Sequence, residues 1–196
     1  MKKYLSVKNI SSIAVLGALS AVLMLFDFPI AVAPNFYKLD LGDLPALIGA
    51  FALGPVPAFF IQIVKIVIKL LLKPTSTAFV GEIAAFIFST VLCVSAALVY
   101  QLDKTRKGAI KAMVIGSIAM VIAACLGNYL FIIPAYVNMF HLPLEKIVAM
   151  GNAIFAAVTD KFTFVLFCVM PFNLIKAVIV DILTFVLYKR ISPLLK

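Results

Sequence analysis

The segment Pro171–Arg190 reads PFNLIKAVIVDILTFVLYKR, and most of it is apolar enough to lie in a bilayer. Asn173 and Lys176 stand near its start, three residues apart, so on a helix they share one face. An ammonium group at membrane depth costs at least about 2.5 kcal/mol on insertion scales. Two interpretations follow from these residues. Either Lys176 faces a protein interior, water or a ligand, or it extends to the membrane surface while Asn173 holds the start of the helix.

The rest of the chain has the same apolar character. Its 196 residues are 65% hydrophobic and 13% charged, with a mean hydropathy of +1.19, whereas soluble domains are about half apolar and about a quarter charged. A helix needs about 20 residues to cross the hydrocarbon, so there is room for about six spans and for no soluble catalytic domain. We therefore predict an all-α integral membrane protein in which residues 1–196 form a single domain.

Six apolar segments divide the chain, and a basic stretch between two of them sets the topology. The segments are 10–26, 44–53, 58–72, 78–100, 112–134 and 162–188. Residues 101–111 carry four basic residues against one acid, which is typical of a cytoplasmic loop. We predict six transmembrane helices with both termini in the cytoplasm, and a surface helix over 144–158. Basic residues near the two ends agree with this topology: Lys2, Lys3, Lys8, Lys189, Arg190 and Lys196.

Several function classes are disfavoured by what the sequence contains. The net charge of +9 lies at the ends of apolar segments, so it fits topology control and predicts no nucleic-acid partner. Cys93, Cys125 and Cys168 lie inside apolar segments without metal-ligand spacing, so we expect small core residues and no metal site. The chain has no phosphate-loop, HExxH or GxSxG motif, which disfavours an enzyme and predicts no catalytic residues and no cofactor.

The first outside connection, residues 27–43, is long and mixes aromatic, charged and glycine residues. Connections of this length in compact proteins are usually functional or disordered, and Pro29 and Pro34 argue against a flexible linker. We predict a loop that caps a ligand pocket. The alternative is a solvated connector that starts the next helix, with Asp43 as its N-cap and Pro45 in its first turn.

Lys65, Lys69 and Lys73 form a stripe with a spacing of four residues. We expect Lys69 and Lys73 to extend outward at the helix end and the deeper Lys65 to pair with Glu82. The alternative is that the stripe lines an outward-open polar cavity.

Polar and aromatic residues near the outer ends of the spans predict the kind of ligand. Asn128, Asn138, Asn173 and Lys176 offer amide donors and acceptors and one cationic donor, which suits a planar heterocycle with carbonyls on one edge. Flat apolar walls are available from six aromatic residues: Phe36, Tyr37, Tyr129, Phe131, Tyr136 and Phe172.

The first apolar segment carries a stripe of small residues, which lets helices approach closely in a membrane. The stripe consists of Ala14, Gly17, Ala18 and Ala21. From the residues alone, internal packing against a neighbouring helix is favoured over a docking face for another protein.

Taken together, the chain resembles the membrane-embedded substrate-binding (S) subunits of energy-coupling factor (ECF) vitamin transporters, and most of all the riboflavin-specific type. The likeness covers the whole chain as a six-helix pattern. The motifs that carry it are Ala14-x-x-x-Ala18, the loop FYKLDLGDLP at residues 36–45, Gly81-Glu82, and Asn173-x-x-Lys176.

The resemblance implies a multi-pass subunit of an ECF-type ABC importer in the bacterial cell membrane. It would bind riboflavin, or also flavin mononucleotide (FMN), with high affinity from outside. It would deliver the vitamin through an EcfT-type transmembrane coupling subunit powered by two separate ATPase subunits. The alternatives are an S subunit for thiamine, folate or a queuosine-type base, and a membrane scaffold without transport function.

The resemblance also implies roles for single residues. The isoalloxazine edge would be bound by Asn173 and Lys176, with either Asn128 or Asn138 as the third group. The ribityl chain would meet the first loop through Asp40 and the backbone around Leu41 and Gly42, and Tyr37 would also contact the ligand from this loop. The small-residue stripe Ala14, Gly17, Ala18 and Ala21 would be the surface that meets the coupling subunit.

Overall fold

A computed structural model describes the backbone of residues 7–195 and the side chains of residues 7–188. The side chains of Lys2, Lys3, Lys189, Arg190 and Lys196, which were expected to mark the cytoplasmic ends, lie outside the described residues.

The described chain is almost entirely helical. Its helices are α1 Val7–Leu25, α2 Asp43–Leu53, α3 Pro55–Leu72, α4 Val80–Leu102, α5 Arg106–Gly127, α6 Ile133–Met139, α7 Leu144–Asn152, α8 Lys161–Phe164 and α9 Met170–Leu195. Two π-helical turns, Asn128–Ile132 and Val165–Val169, join α5 to α6 and α8 to α9.

Five helical stretches are long and apolar enough to cross a membrane, so the prediction of an all-α membrane protein is confirmed. They are Val7–Leu25, Pro55–Leu72, Val80–Leu102, Arg106–Met139 and Lys161–Tyr188. The sixth predicted segment is α2, an apolar helix of 11 residues. Its residues Asp43–Phe51 are all buried, and it packs against α1, α3, α4 and α9. Because protein surrounds α2, its length is not tied to the thickness of the hydrocarbon.

The two π-helical turns have a common cause in the sequence. A proline ring in a helix clashes with the carbonyl of the residue four positions earlier. For Pro134 that residue is Leu130, and for Pro171 it is Phe167, and each lies in the middle of a π-helical turn. A widened turn gives the ring room without ending the helix, and such turns are frequent at functional sites.

The connection after α1 contains a short hairpin, which the helical pattern did not predict. Strand β1, Phe28–Pro29, pairs antiparallel with β2, Lys38–Leu39, and Phe28 is opposite Leu39. The hairpin fixes the returning half of the connection, which carries Phe36, Tyr37 and Asp40.

Two local predictions are wrong. Gly42, not Asp43, is the N-cap of α2, and no side chain caps that end, because the Asp43 carboxylate is directed to lysines instead. The surface helix ends at Asn152 rather than near residue 158. There the amide of Asn152 donates to the backbone carbonyls of Ala156 and Val158 and holds the following turn.

Candidate ligand-binding site

A cavity of about 550 Å³ lies between the first connection and helices α4, α5, α6 and α9. Its volume is in the range of small-molecule sites, about 300–1,000 Å³. Its apolar walls include Phe36, Phe88, Tyr136 and Phe172. Of the six predicted wall residues, Tyr129 and Phe131 are instead exposed on the outside of the described helices.

Asn128 lies on the cavity wall at the first residue of a π-helical turn. Its Nδ2 donates to the carbonyl of Ala124 at 2.8 Å, and its Oδ1 accepts from the Tyr37 hydroxyl at 2.6 Å. Burial, with Tyr136, Cys168 and Cys125 nearby, raises the pKa of Tyr37 well above its ordinary value. The Tyr37 hydroxyl therefore stays protonated and fixes the amide, which keeps one N–H for a ligand.

Asn173 is buried on α9, on the same cavity. Its Nδ2 donates at 2.8 Å to the carbonyl of Val169, the last residue of the other π-helical turn. Among the described residues no donor reaches its Oδ1, so that oxygen and the second N–H remain for a ligand. The two amides are thus held in the same way, each by a carbonyl one turn earlier.

Lys176 lines the cavity one helical turn from Asn173, and its side chain is 12% exposed. Its Nζ lies 2.9 Å from Asp40 Oδ2 and 3.2 Å from Asp43 Oδ2. Lys176 therefore faces the protein interior rather than extending to the membrane surface, and its contact with a ligand stays a prediction. Asp40 is itself fixed, because its Oδ1 accepts from the Gly42 backbone N–H at 2.8 Å.

Asp43 is a residue of this site that the sequence did not reveal. Its carboxylate is 0% exposed and lies 2.7 Å from the ammonium of Lys65, which is 1% exposed. Together with Asp40 and Lys176 it forms a buried cluster of two acids and two lysines without net charge. The composition could have pointed to Asp43 as a counter-ion. The chain has eight acidic residues in all, and each lysine inside the membrane needs a carboxylate as its partner.

The predicted Lys65–Glu82 pair is wrong. Glu82 pairs with Lys69, one helical turn further along α3, while Lys65 pairs with Asp43. Glu82 also accepts from the hydroxyls of Thr75 and Thr77, both at 2.9 Å. Of the three lysines in the stripe, only Lys69 lines the cavity among the described residues.

A more exposed carboxylate at the rim of the cavity, that of Asp27, contacts two lysines. Asp27 is 3.1 Å from the ammonium of Lys73 and 3.4 Å from that of Lys38. Partial burial tends to raise the pKa of Asp27, but the hydrogen bonds and charges of Lys73 and Lys38 outweigh it and hold this pKa below its ordinary value.

Other residues predicted for the ligand lie away from the cavity. Asn138 is exposed near the end of α6, so the structure brings Asn128 rather than Asn138 to the other polar groups. Leu41 and Gly42 are not among the lining residues, while Tyr37 and Asp40 are. Gly42 instead packs closely on the backbone of α1, where an added Cβ would lie 2.8 Å from the carbonyl oxygen of Ser20.

The small-residue stripe of α1 is divided between two surfaces. Gly17 and Ala21 are buried, and a Cβ at Gly17 would lie 2.4 Å from Cγ1 of Val64 on α3. These two residues therefore serve internal helix packing. Ala14 is exposed and Ala18 is half-buried, so only they remain open to a partner.

The family model for "ECF transporter, substrate-specific component" matches residues 8–188 of this chain. The chain belongs to this family. A solved structure described as "Structure and mechanism of the S component of a bacterial ECF transporter" superposes with a TM-score of 0.75 at 27% identity, covering 95% of this chain and 96% of that one. The resemblance to ECF S subunits is thus confirmed, and this ECF substrate-specific component is a multi-pass cell-membrane protein.

Relatives of this ECF component are named for one vitamin. The chain is 26% identical over 190 residues to "Riboflavin transporter FmnP" of Bacillus subtilis (strain 168), covering 96% of this chain and 94% of the relative. It is 27% identical over 194 residues to "Riboflavin transporter RibU" of Staphylococcus aureus (strain TCH60), covering 96% and 93%. It is 30% identical over 178 residues to "Riboflavin transporter RibU" of Lactococcus lactis subsp. cremoris (strain NZ9000), covering 85% and 84%.

Proposed function

We propose that this substrate-specific component binds riboflavin in the cavity and passes it to the other subunits of an ECF transporter. One observation carries the proposal: Asn128, Asn173 and Lys176 converge on one aromatic-lined cavity, in a chain whose relatives are named riboflavin transporters.

The polar edge of the cavity is complementary to the pyrimidine edge of an isoalloxazine ring. That edge presents a carbonyl, an N–H and a second carbonyl in a row. Two of the three N–H groups of the Lys176 ammonium face the carboxylates of Asp40 and Asp43, which leaves the third for a ligand carbonyl. The Asn128 amide uses one N–H for the Ala124 carbonyl and has a second for the other ligand carbonyl. Asn173 Oδ1 can accept between them. The three groups therefore supply a donor, an acceptor and a donor.

The charges of the cavity favour a neutral ligand. Every acidic residue on its wall is ion-paired with a lysine; these residues are Asp27, Asp40, Asp43 and Glu82. Thiamine is a cation and folate an anion, so the charge of either would be left without a free counter-ion in the cavity or would compete for one member of a pair. Riboflavin is neutral. FMN adds a phosphate that would compete with a carboxylate for its lysine, so we expect FMN to bind more weakly than riboflavin.

We further propose six membrane crossings, with α2 as the second, both termini in the cytoplasm and the connection 27–43 outside as a cap. The basic stretch 101–111 supports this topology. The cap is supported by Phe36, Tyr37 and Asp40, which lie on the wall of the cavity and come from this connection.

The partners we propose are an EcfT-type coupling subunit and two ATPase subunits, with no catalysis by this chain. On α1, Ala14 and Ala18 lie among the exposed apolar side chains of Val15, Leu19 and Val22. This strip is the part of the small-residue stripe open to a coupling subunit. A scaffold without ligand would not need a cavity with a fixed polar edge, which favours the transport function.

Quenching of riboflavin fluorescence by purified protein tests the proposal. We expect saturable quenching, and a loss of about 1–3 kcal/mol of binding free energy, or about 5–150-fold in Kd, for Asn173→Ala. Asn138→Ala is the matched control, since it removes an exposed amide, and should leave Kd unchanged. A wild-type protein that leaves riboflavin fluorescence unchanged but is thermally stabilised by thiamine, folate or a queuosine-type base would refute the vitamin assignment.

A further inference from the structure

The lysine stripe of α3 is a series of three ion pairs with partners from three different elements. Lys65 pairs with Asp43 at the start of α2, Lys69 with Glu82 on α4, and Lys73 with Asp27 after α1. Steps of four residues are about 6 Å along a helix. The Lys69–Glu82 pair thus lies about 6 Å further along α3 than the buried cluster that holds Lys176, on the side of the rim.

The middle pair differs from its two neighbours because both of its members line the cavity. Lys65 and Lys73 are not among the described lining residues, whereas Lys69, Thr77, Gly81 and Glu82 are. The pair is also well enclosed, since the side chains of Lys69 and Glu82 are 12% and 6% exposed. A ligand that fills the cavity therefore meets this pair.

The hydrogen bonds of this pair leave polar capacity facing the cavity. Glu82 Oε1 accepts from Lys69, and its Oε2 accepts from Thr75 and Thr77. Among the described residues Glu82 is the acceptor for the Lys69 ammonium, which has three N–H donors. The wall thus offers ammonium donors beside carboxylate and hydroxyl oxygens, with no net charge. This set of groups matches alcohol hydroxyls, which both donate and accept, better than a phosphate.

The turn that supplies Thr77 is held in a costly conformation. Ala78 and Phe79 have positive φ angles of 44° and 68°, a region that side-chain-bearing residues rarely adopt. The Thr75 hydroxyl accepts from the backbone N–H of Thr77 and of Phe79, while it donates to Glu82. Backbone strain of this kind gathers at binding sites, where the surroundings enforce it.

We propose that Lys69, Glu82 and Thr77 form a subsite for the hydroxylated side chain of the ligand, distinct from the ring edge at Asn128, Asn173 and Lys176. The inference rests on the proposed function, because a flavin ring held at that edge leaves its polyol chain to reach this wall. It differs from the expectation that the ribityl chain meets Asp40 and the backbone around Leu41 and Gly42. Asp40 lines the cavity, whereas Leu41 and Gly42 are not among its lining residues.

The test compares riboflavin with lumiflavin, which has the same ring but a methyl group in place of the ribityl chain. Fluorescence quenching gives Kd for both flavins on the full-length protein and on its Lys69→Met/Glu82→Gln variant, which removes both charges together. We expect riboflavin binding to weaken about 10–100-fold and lumiflavin binding to stay within about twofold. Equal weakening for both flavins, or no weakening for riboflavin, would overturn the subsite.

Two further variants keep the test independent of folding. Thr77→Val removes one hydroxyl at nearly constant volume and should weaken riboflavin alone, by about 2–10-fold. Lys73→Met, one turn along the same stripe and 48% exposed, is the matched control and should change neither Kd. Wild-type protein that binds lumiflavin as tightly as riboflavin overturns the subsite alone, whereas wild-type protein that binds neither flavin overturns the proposed function.

Discussion

Removing the Lys65 ammonium tests whether the buried charges balance one another. In Lys65→Met the Asp43 carboxylate keeps its place, 0% exposed, but loses the partner at 2.7 Å. The cluster then carries two carboxylates against the single ammonium of Lys176, which is 3.2 Å from Asp43 Oδ2. The variant leaves one negative charge uncompensated in the protein interior.

The size of the effect follows from the burial of the pair. Breaking a buried ion pair by removing one partner costs about 3–5 kcal/mol. Because Lys176 still offsets part of the Asp43 charge, we expect the lower end, about 3 kcal/mol. In a chain of this size that is about 6–12 °C in Tm. Asp43→Asn/Lys65→Met removes both charges and leaves Asp40 with Lys176, so most of the loss should be recovered.

The assay is thermal unfolding of detergent-solubilised protein, with Lys73→Met as the control for loss of a lysine from the same stripe. Lys73 and Asp27 are partly exposed, and such pairs contribute about 0–1 kcal/mol. If the double variant were less stable than Lys65→Met, or if Lys65→Met unfolded at the wild-type temperature, charge balance in the cluster would not be what stabilises this region.

Three other changes have defined outcomes. Ala18→Leu should abolish riboflavin uptake by the assembled transporter while flavin binding and Tm stay at wild-type values. Gly17→Leu should instead lower Tm, because a Cβ at this position would lie 2.4 Å from Cγ1 of Val64. Uptake that survives Ala18→Leu would remove α1 from the docking surface. Tyr37→Phe deletes the donor to Asn128 Oδ1 and should weaken riboflavin binding by about 0.5–1.5 kcal/mol, measured by quenching, and an unchanged Kd would show that the amide does not need this hydroxyl. Folding lowers the pKa of Asp27, so this carboxylate stabilises the protein above its unfolded pKa of about 4, and the stabilisation is lost as the pH falls through the folded pKa. The Tm difference between wild type and Asp27→Asn should therefore be constant from about pH 5 to 8 and shrink below about pH 4. A difference independent of pH down to 3 would contradict this.

The sequence predicted the parts of this protein that depend on local pattern. Apolar length predicted the membrane-crossing helices, and the spacing of Asn173 and Lys176 predicted that both face one side, where they line the same cavity. These predictions hold because each depends only on the length of an apolar segment or on helical periodicity, and not on how the helices pack together.

Features that depend on the relative depth of two helices were not predictable. Lys65 was paired with Glu82 because it lies deeper in its segment and needs a partner, yet Lys69 lies level with Glu82, since the start of α4 is set by the turn at residues 73–79. Asp43 has the residue type and position of an N-cap, and its role as a counter-ion depends on α3 and α9 packing beside it. Local preference gave the wrong answer because burying two lysines requires carboxylates nearby.

The choice between Asn128 and Asn138 was open for a related reason. A π-helical turn changes the direction in which later residues of the helix face, so regular periodicity cannot be carried from one amide to the other. The prolines were the signal for these π-helical turns in the sequence: Pro134 for the turn that begins at Asn128, and Pro171 for the turn before Asn173.

The complete enclosure of α2 has a consequence for how the protein is made. An 11-residue helix that begins with an aspartate is a poor substrate for independent partitioning from the translocon into lipid. Its stable insertion must wait until α3 has left the ribosome and Lys65 can neutralise Asp43. Nascent chains that carry a polar linker after Leu53, long enough to clear the ribosome exit tunnel, should therefore leave this segment accessible to water-soluble thiol reagents through an introduced cysteine. Chains that continue through α3 before the same linker should protect it.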